Sequence, residues 1–135
     1  MLKRCVLVVA LALIPSLPAC DGGLLAGNGT VLVDEDDFRV VRSVPAALTL
    51  INDTPERVYY FVVDGETPAV INWAPCIDPH RCYWIGPGER VRLGYAEIAG
   101  YQPGSGSAVV HWWRMVPDAS GRHHPDRLRS ADVEL

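Results

Sequence analysis

The hydrophobic pattern of this chain has two parts: one unbroken apolar block near the start, and short apolar runs from residue 38 onward. The short runs are rich in β-branched and aromatic residues, and groups of Gly, Pro, Asn and Asp separate them. This pattern is typical of an all-β domain and contains no long helical periodicity. We predict a single small β-sandwich of six to eight strands over residues 38–135.

The strand predicted over residues 57–63 is apolar on both faces, so we expect it to be central in its sheet. Residues 107–116 form the second strongly apolar strand. Residues 117–125 show no alternation and predict a mobile loop. Weaker patterns predict further strands over residues 38–43, 47–52, 69–73, 83–85, 89–95 and from 127 onward.

The apolar block at the N-terminus has the plan of a signal peptide covering residues 1–19. Lys3 and Arg4 precede ten residues, 5–14, whose only polar side chain is a thiol. Ten helical residues cover about 15 Å, which is roughly half of the hydrocarbon core of a bilayer. Pro15 and Pro18 then interrupt the helix. An export signal is therefore favoured over a membrane span.

The four residues Leu-Pro-Ala-Cys at positions 17–20 resemble the lipobox of bacterial lipoproteins. Leu17, Ala19 and Cys20 fit that motif, whereas Pro18 replaces the small residue more usual there. The resemblance implies cleavage before Cys20, acylation of Cys20 with palmitate-type chains, and anchoring to a membrane of the bacterial cell envelope. Several chains are needed, because one alone binds only marginally. The alternative is an ordinary signal peptide cut after an A-x-A-like site.

Residues 20–37 are predicted to be the lipidated cysteine followed by a flexible tether, Gly-rich and then acidic. Residues 21–30 contain four glycines and no periodic apolar face. The four carboxylates of residues 34–37 lack the spacing and the turn glycine of an EF-hand loop. The acidic run is therefore interpreted as a solvated edge rather than a calcium site.

Charge and cysteine content narrow the function classes. Removing residues 1–19 leaves 116 residues, enough for one domain, and changes the formal charge from −4 to −6. Nucleic acid is disfavoured as a partner of so acidic a chain. Lys3 is the only lysine, which excludes a Schiff-base mechanism in the mature protein.

Cys5 is removed with the signal peptide and Cys20 is acylated, so Cys76 and Cys82 remain. An isolated pair of cysteines in an exported protein predicts a disulfide.

The number and spacing of strands resemble immunoglobulin-like sandwiches of bacterial envelopes. The resemblance concerns architecture alone. Cys76 and Cys82 are too close in sequence to join two sheets across a core as in antibody domains. Their bridge is expected to fix a loop or a hairpin.

Three aromatic residues flank this loop and are the candidate binding surface: Trp73, Tyr83 and Trp84. Rigid aromatic rings beside a disulfide suit contacts with sugars or proteins. In the alternative interpretation, the same rings pack inside the sandwich and around the disulfide.

Metal binding is the other alternative. The loop offers thiolates and an imidazole, but formation of the disulfide removes both thiolates. Three histidines outside the loop form a second candidate set: His111, His123 and His124. No cofactor is predicted.

No G-x-S-x-G, H-E-x-x-H, P-loop or G-x-G-x-x-G motif is found, and a non-catalytic protein is expected. The sequence predicts a lipid-anchored cell-envelope protein, facing the periplasm or the exterior, with a binding or structural domain. Its expected partners are the membrane and an envelope protein or glycan. The alternatives are peptidoglycan or other carbohydrate binding by the aromatic loop, and periplasmic copper or zinc binding.

Overall fold

The structure is a computed structural model that describes residues 29–67 and 73–135. The predicted signal peptide, the lipobox and Cys20 lie outside these ranges, as does most of the strand predicted over residues 69–73. Within the described ranges, no helix has the length and apolar character required to cross a membrane.

Two four-stranded antiparallel sheets pack face to face, which confirms the predicted all-β sandwich. Sheet 1 has the order β1-β2-β3-β6, with the bounds Thr30–Glu35, Phe38–Ser43, Ala47–Asn52 and Arg90–Gly94. Sheet 2 has the order β5-β4-β7-β8, with the bounds Trp84–Ile85, Val58–Asp64, Ser107–Pro117 and His123–Glu134. A 3₁₀ turn, Tyr95–Glu97, follows β6.

The strand order agrees with the immunoglobulin-like arrangement. Strands β2, β3 and β6 occupy the places of A, B and E in one sheet, and β5, β4, β7 and β8 occupy those of C′, C, F and G in the other. Strand β1 is added beside β2. Strand β6 is one edge of sheet 1, and the short strand β5 is one edge of sheet 2. No strand pairing joins these two edges, so the sandwich is open between them.

The predicted tether of residues 20–37 is wrong in its second half, because β1 belongs to the sandwich. Leu32 and Val33 pack against the core. Asp36 and Asp37 then adopt positive φ angles of 50° and 61° and turn the chain directly into β2. Aspartate tolerates this left-handed conformation, and two such residues in succession form a tight hairpin turn. The acidic run is thus a strand end and a turn.

The predicted loop over residues 117–125 is also shorter than expected, since β8 already begins at His123. The Asp118 carboxylate accepts hydrogen bonds from the backbone N–H groups of Ser120 and Arg122, at 2.8 and 3.0 Å. The hydrogen bond from the Ser120 hydroxyl, followed by these two backbone bonds, holds the pKa of Asp118 below its usual value. The segment is a closed hairpin turn.

The main core lies between the sheets. Val58, Tyr60 and Val62, which share one face of β4, point into this core. Phe38 stacks there on Trp112 of β7 with ring centroids 4.9 Å apart. Strand β4 lies inside sheet 2, between β5 and β7, as expected.

Buried Asn52 joins the turn after β3 to the end of β5 at one end of the core. Its Nδ2 donates to the carbonyls of Glu56, Ile85 and Gly86 at 2.7, 3.0 and 3.1 Å. Its Oδ1 accepts from the Thr54 backbone N–H at 3.0 Å and from the Thr54 hydroxyl at 2.6 Å. Burial of this amide costs little because every polar atom of the side chain has a partner.

Candidate functional site

A second apolar cluster covers the outer face of sheet 2. Strands β4 and β7 are apolar on both faces, so the residues that point away from the main core also need cover. The segment of residues 73–83 folds over this face and supplies it. The outer cluster consists of Tyr59, Phe61, Trp73, Cys76, Cys82, Trp113 and Met115.

The Cys76–Cys82 disulfide is present, with its Cα atoms 5.7 Å apart, and confirms that the bridge fixes a loop. Inside the ring, the Asp78 carbonyl accepts from the backbone N–H groups of Arg81 and Cys82, both at 3.0 Å. The Asp78 carboxylate accepts from the His80 N–H at 2.9 Å. Both polar groups of Asp78 therefore organise this short turn, and the residues within it have a defined backbone conformation.

Trp73 anchors the loop to the sheet. Its indole stacks on the His111 imidazole with centroids 4.1 Å apart, on the Phe61 ring at 5.7 Å, and edge-on to Trp113 at 6.0 Å. Burial lowers the pKa of His111 below its usual value, and the opposing effect of Asp132 is smaller. His111 is therefore neutral at pH 7, as its apolar neighbours require. Trp73 thus packs in the outer cluster.

Tyr83 and Trp84, the other two residues of the predicted surface, are exposed by 69% and 44%. The Tyr83 ring leans on Tyr60 with centroids 5.9 Å apart. The guanidinium carbon of Arg57 lies 3.8 Å from the centroid of the Trp84 ring. We call Tyr83, Trp84 and Arg57 the aromatic surface. It lies at the open side of the sandwich, where β5 is only two residues long.

Two cavities adjoin Tyr83, and Tyr60 and Phe61 also border both. The loop cavity, of about 210 Å³, is lined by Tyr60, Phe61, Trp73, Ala74, Cys76, Arg81, Cys82, Tyr83 and Trp113. The edge cavity, of about 260 Å³, is lined by Tyr60, Phe61, Val62, Tyr83, Leu93, Glu97 and Ala99.

Tyr60 lines both cavities. Burial raises the pKa of Tyr60, and the neighbouring Tyr83 and Glu97 raise it further. The phenol therefore stays protonated at neutral pH and is able to donate a hydrogen bond. Glu97 is held in place by the backbone N–H of Gly94, which donates to its carboxylate at 2.7 Å.

Sequence reasoning missed Arg81, Tyr60 and Glu97 as members of this site. Arg81 lies between the two half-cystines, and that position was the one available signal for it. Tyr60 looked like an ordinary inward-facing strand residue. Glu97 reaches the site through the 3₁₀ turn after β6, a placement that depends on tertiary structure.

The candidate metal ligands are not brought together. Both cysteine sulfurs are in the disulfide. His123 and His124 pair with Pro117 and Val116, five to six residues along β7 from His111, which corresponds to about 17 Å or more. Across residues 29–67 and 73–135, no group of three or more His, Cys, Asp or Glu side chains is arranged to hold a metal ion.

Comparison with known proteins adds no assignment: no family model, no curated protein and no solved structure matches this chain.

Proposed function

We propose that this protein is a lipid-anchored component of the bacterial cell envelope whose sandwich binds an envelope glycan, peptidoglycan in particular, without catalysis. The observation that carries the proposal is the exposure of Tyr83 and Trp84 beside a disulfide-fixed loop and two cavities. The lipobox-like residues 17–20 support the location.

Physical chemistry favours a sugar ligand for such a surface. The flat aromatic faces cover the apolar C–H faces of pyranose rings, while the hydroxyl of Tyr83 remains available for a hydrogen bond. Tyr and Trp lose little conformational entropy on binding, because each has two side-chain torsions. The disulfide and Asp78 hold the adjoining loop before any ligand arrives, which lowers the cost of association.

A protein partner is the second candidate, and Arg57 is the observation that favours it. Tyr, Trp and Arg are the residue types that contribute most energy at protein interfaces. Arg57 lies over the ring of Trp84, which follows the exposed Tyr83 directly in the sequence. A protein would cover this surface by shape complementarity and would leave the cavities partly empty.

Co-sedimentation with purified peptidoglycan tests the glycan proposal. The full-length protein, purified from membranes in detergent, is expected to pellet with the polymer, and the double variant Tyr83→Ala/Trp84→Ala is expected to stay in solution. Leu128→Ala, which truncates an exposed apolar side chain on β8, is the control and is expected to pellet. A double variant that pellets as strongly as wild type would exclude the aromatic surface as the binding site.

Intact mass of the membrane-purified protein tests the anchor. The expected mass is that of residues 20–135 plus acyl chains, and Cys20→Ala is expected to yield an unacylated product. An unacylated wild-type chain that begins at another residue would contradict the lipoprotein proposal, whatever the outcome of the sedimentation.

A further inference from the structure

We propose that the loop cavity recognises a carboxylate on one sugar ring of the bound glycan, and that Arg81 is the residue that pairs with it. This inference rests on the proposed glycan binding and specifies the ligand class: a pyranose that bears a carboxylate, such as an N-acetylmuramic acid.

Among the residues that the structure describes, Arg81 is the only charged one that lines the loop cavity, and aromatic rings supply most of the wall. Arg81 is exposed, so its guanidinium is open to an anion that enters the cavity from solvent. Its planar fork matches a carboxylate with two parallel hydrogen bonds. The charge and geometry of the cavity therefore favour an acidic ligand over a neutral one.

Five other arginines of the domain have acidic partners: Arg39, Arg114, Arg122, Arg127 and Arg129. Ion pairs join Arg39 to Asp53 at 2.6 Å and Arg114 to Glu56 at 3.2 Å. In the described part of the chain, no carboxylate lies within 4.0 Å of the Arg81 guanidinium. In the same part of the chain, four further arginines have no such partner, but none of them lines either cavity: Arg42, Arg57, Arg90 and Arg92.

The backbone beneath Arg81 is fixed before binding. Its N–H donates to the Asp78 carbonyl at 3.0 Å, and the next residue, Cys82, is held by the disulfide and is buried. Binding therefore needs no ordering of the backbone at Arg81, and its entropic cost is lower than for an arginine on a free loop.

The size of the cavity limits the ligand to about one ring. A volume of about 210 Å³ lies below the roughly 300–1,000 Å³ of sites for drug-sized molecules. One acid-bearing ring would enter, and its neighbours in the polymer would lie across Tyr83 and Trp84. The proposal thus joins the cavity and the aromatic surface into one site.

Calorimetric titration with a matched pair of ligands tests the proposal. The ligands are the disaccharide of N-acetylglucosamine and N-acetylmuramic acid, and the same disaccharide with its carboxyl reduced to an alcohol. Full-length wild-type protein in detergent is expected to bind the acid roughly fivefold more tightly than the alcohol, as an ion pair with an exposed arginine implies. Arg81→Gln is expected to abolish that preference, Arg81→Lys to retain part of it, and Arg90→Gln to match wild type.

Equal affinity of wild type for the two ligands, or an undiminished preference in Arg81→Gln, would overturn this inference and leave glycan binding intact. Failure of wild type to bind either ligand or the intact polymer would instead overturn the proposed function. Thermal melts of each variant accompany the titrations. If Arg81→Gln does not fold, the ligand pair with wild type and Arg81→Lys still decides the question.

Discussion

The indole of Trp73 stacks on the imidazole of His111 with ring centroids 4.1 Å apart and planes 21° from parallel. This contact fastens the disulfide loop to the outer face of β7. Because Trp73 and Arg81 line the same cavity, the stacking also shapes the proposed site. Stability of the sheet and order of the loop are therefore linked through these two rings.

Stability is expected to depend on pH through His111. Burial lowers the pKa of His111 in the folded state, so the unfolded state binds more protons once the pH falls below about 6.5. The free energy of unfolding is expected to be highest above that pH and to decrease as the pH falls through the folded-state pKa. Melting temperatures measured from pH 8 to pH 5 should decrease less in His111→Gln than in wild type. His80→Gln, an exposed control, should follow wild type, and equal slopes for all three proteins would contradict the assignment.

The four tryptophans are expected to differ widely in their contribution to stability. Trp113 is buried under the loop, and Trp113→Ala should lower the free energy of unfolding by about 3–5 kcal/mol. Trp84 is exposed, and Trp84→Ala should cost about 1 kcal/mol or less, including its contact with Arg57. Urea denaturation measures both values. A Trp84→Ala variant as unstable as Trp113→Ala would show that Trp84 is a core residue.

The disulfide is expected to contribute about 2 kcal/mol, since it closes a short ring in the unfolded chain. The double variant Cys76→Ser/Cys82→Ser should still form the sandwich, because both sheets assemble without the loop. It should lose most of its glycan affinity, because the loop positions Arg81. Unfolding curves of this variant measure the loss of stability, and ligand titrations measure the loss of glycan affinity. Unchanged affinity would contradict the role given to the loop.

Asn52 is expected to be among the most sensitive polar residues of the domain. Asn52→Ala removes the partner of three loop carbonyls and of Thr54, and buried groups left without hydrogen bonds are costly. We expect a loss of about 3 kcal/mol in the free energy of unfolding by urea titration. Thr54→Val, which removes the hydroxyl but leaves the Asn52 amide bonds to the loop carbonyls, should cost about 1 kcal/mol. Comparable values for the two variants would argue against Asn52 as the centre of this network.

Much of the fold was predictable because alternation and turn residues are local signals. The bounds of β2 and β3 match the predicted residues 38–43 and 47–52, and β4 has the predicted apolar residues on both faces. Strand β1 was missed because its acidic end looked like a solvated tether. Only the pairing with β2 and the positive φ angles of Asp36 and Asp37 reveal a hairpin.

The candidate site was predictable only in part. Tyr83 and Trp84 stood out by composition and proved to be exposed, while Trp73, chosen on the same grounds, packs on His111. Sequence spacing does not distinguish a buried Trp73 from an exposed Tyr83 or Trp84. The difference arises because the loop that contains Trp73 folds over the outer face of sheet 2. For the same reason the meeting of Arg81 with rings from β4 and β7 could not be predicted.

The most direct test of glycan binding by the aromatic surface uses the indole N–H signals of the four tryptophans in ¹⁵N-labelled full-length protein. The signals are recorded in detergent micelles during titration with soluble peptidoglycan fragments and assigned with single Trp→Phe variants. The Trp84 signal is expected to shift and saturate, and the signal of Trp112, which lies between the sheets, should stay unchanged. No shift of Trp84 at saturating fragment concentration would contradict the proposed function.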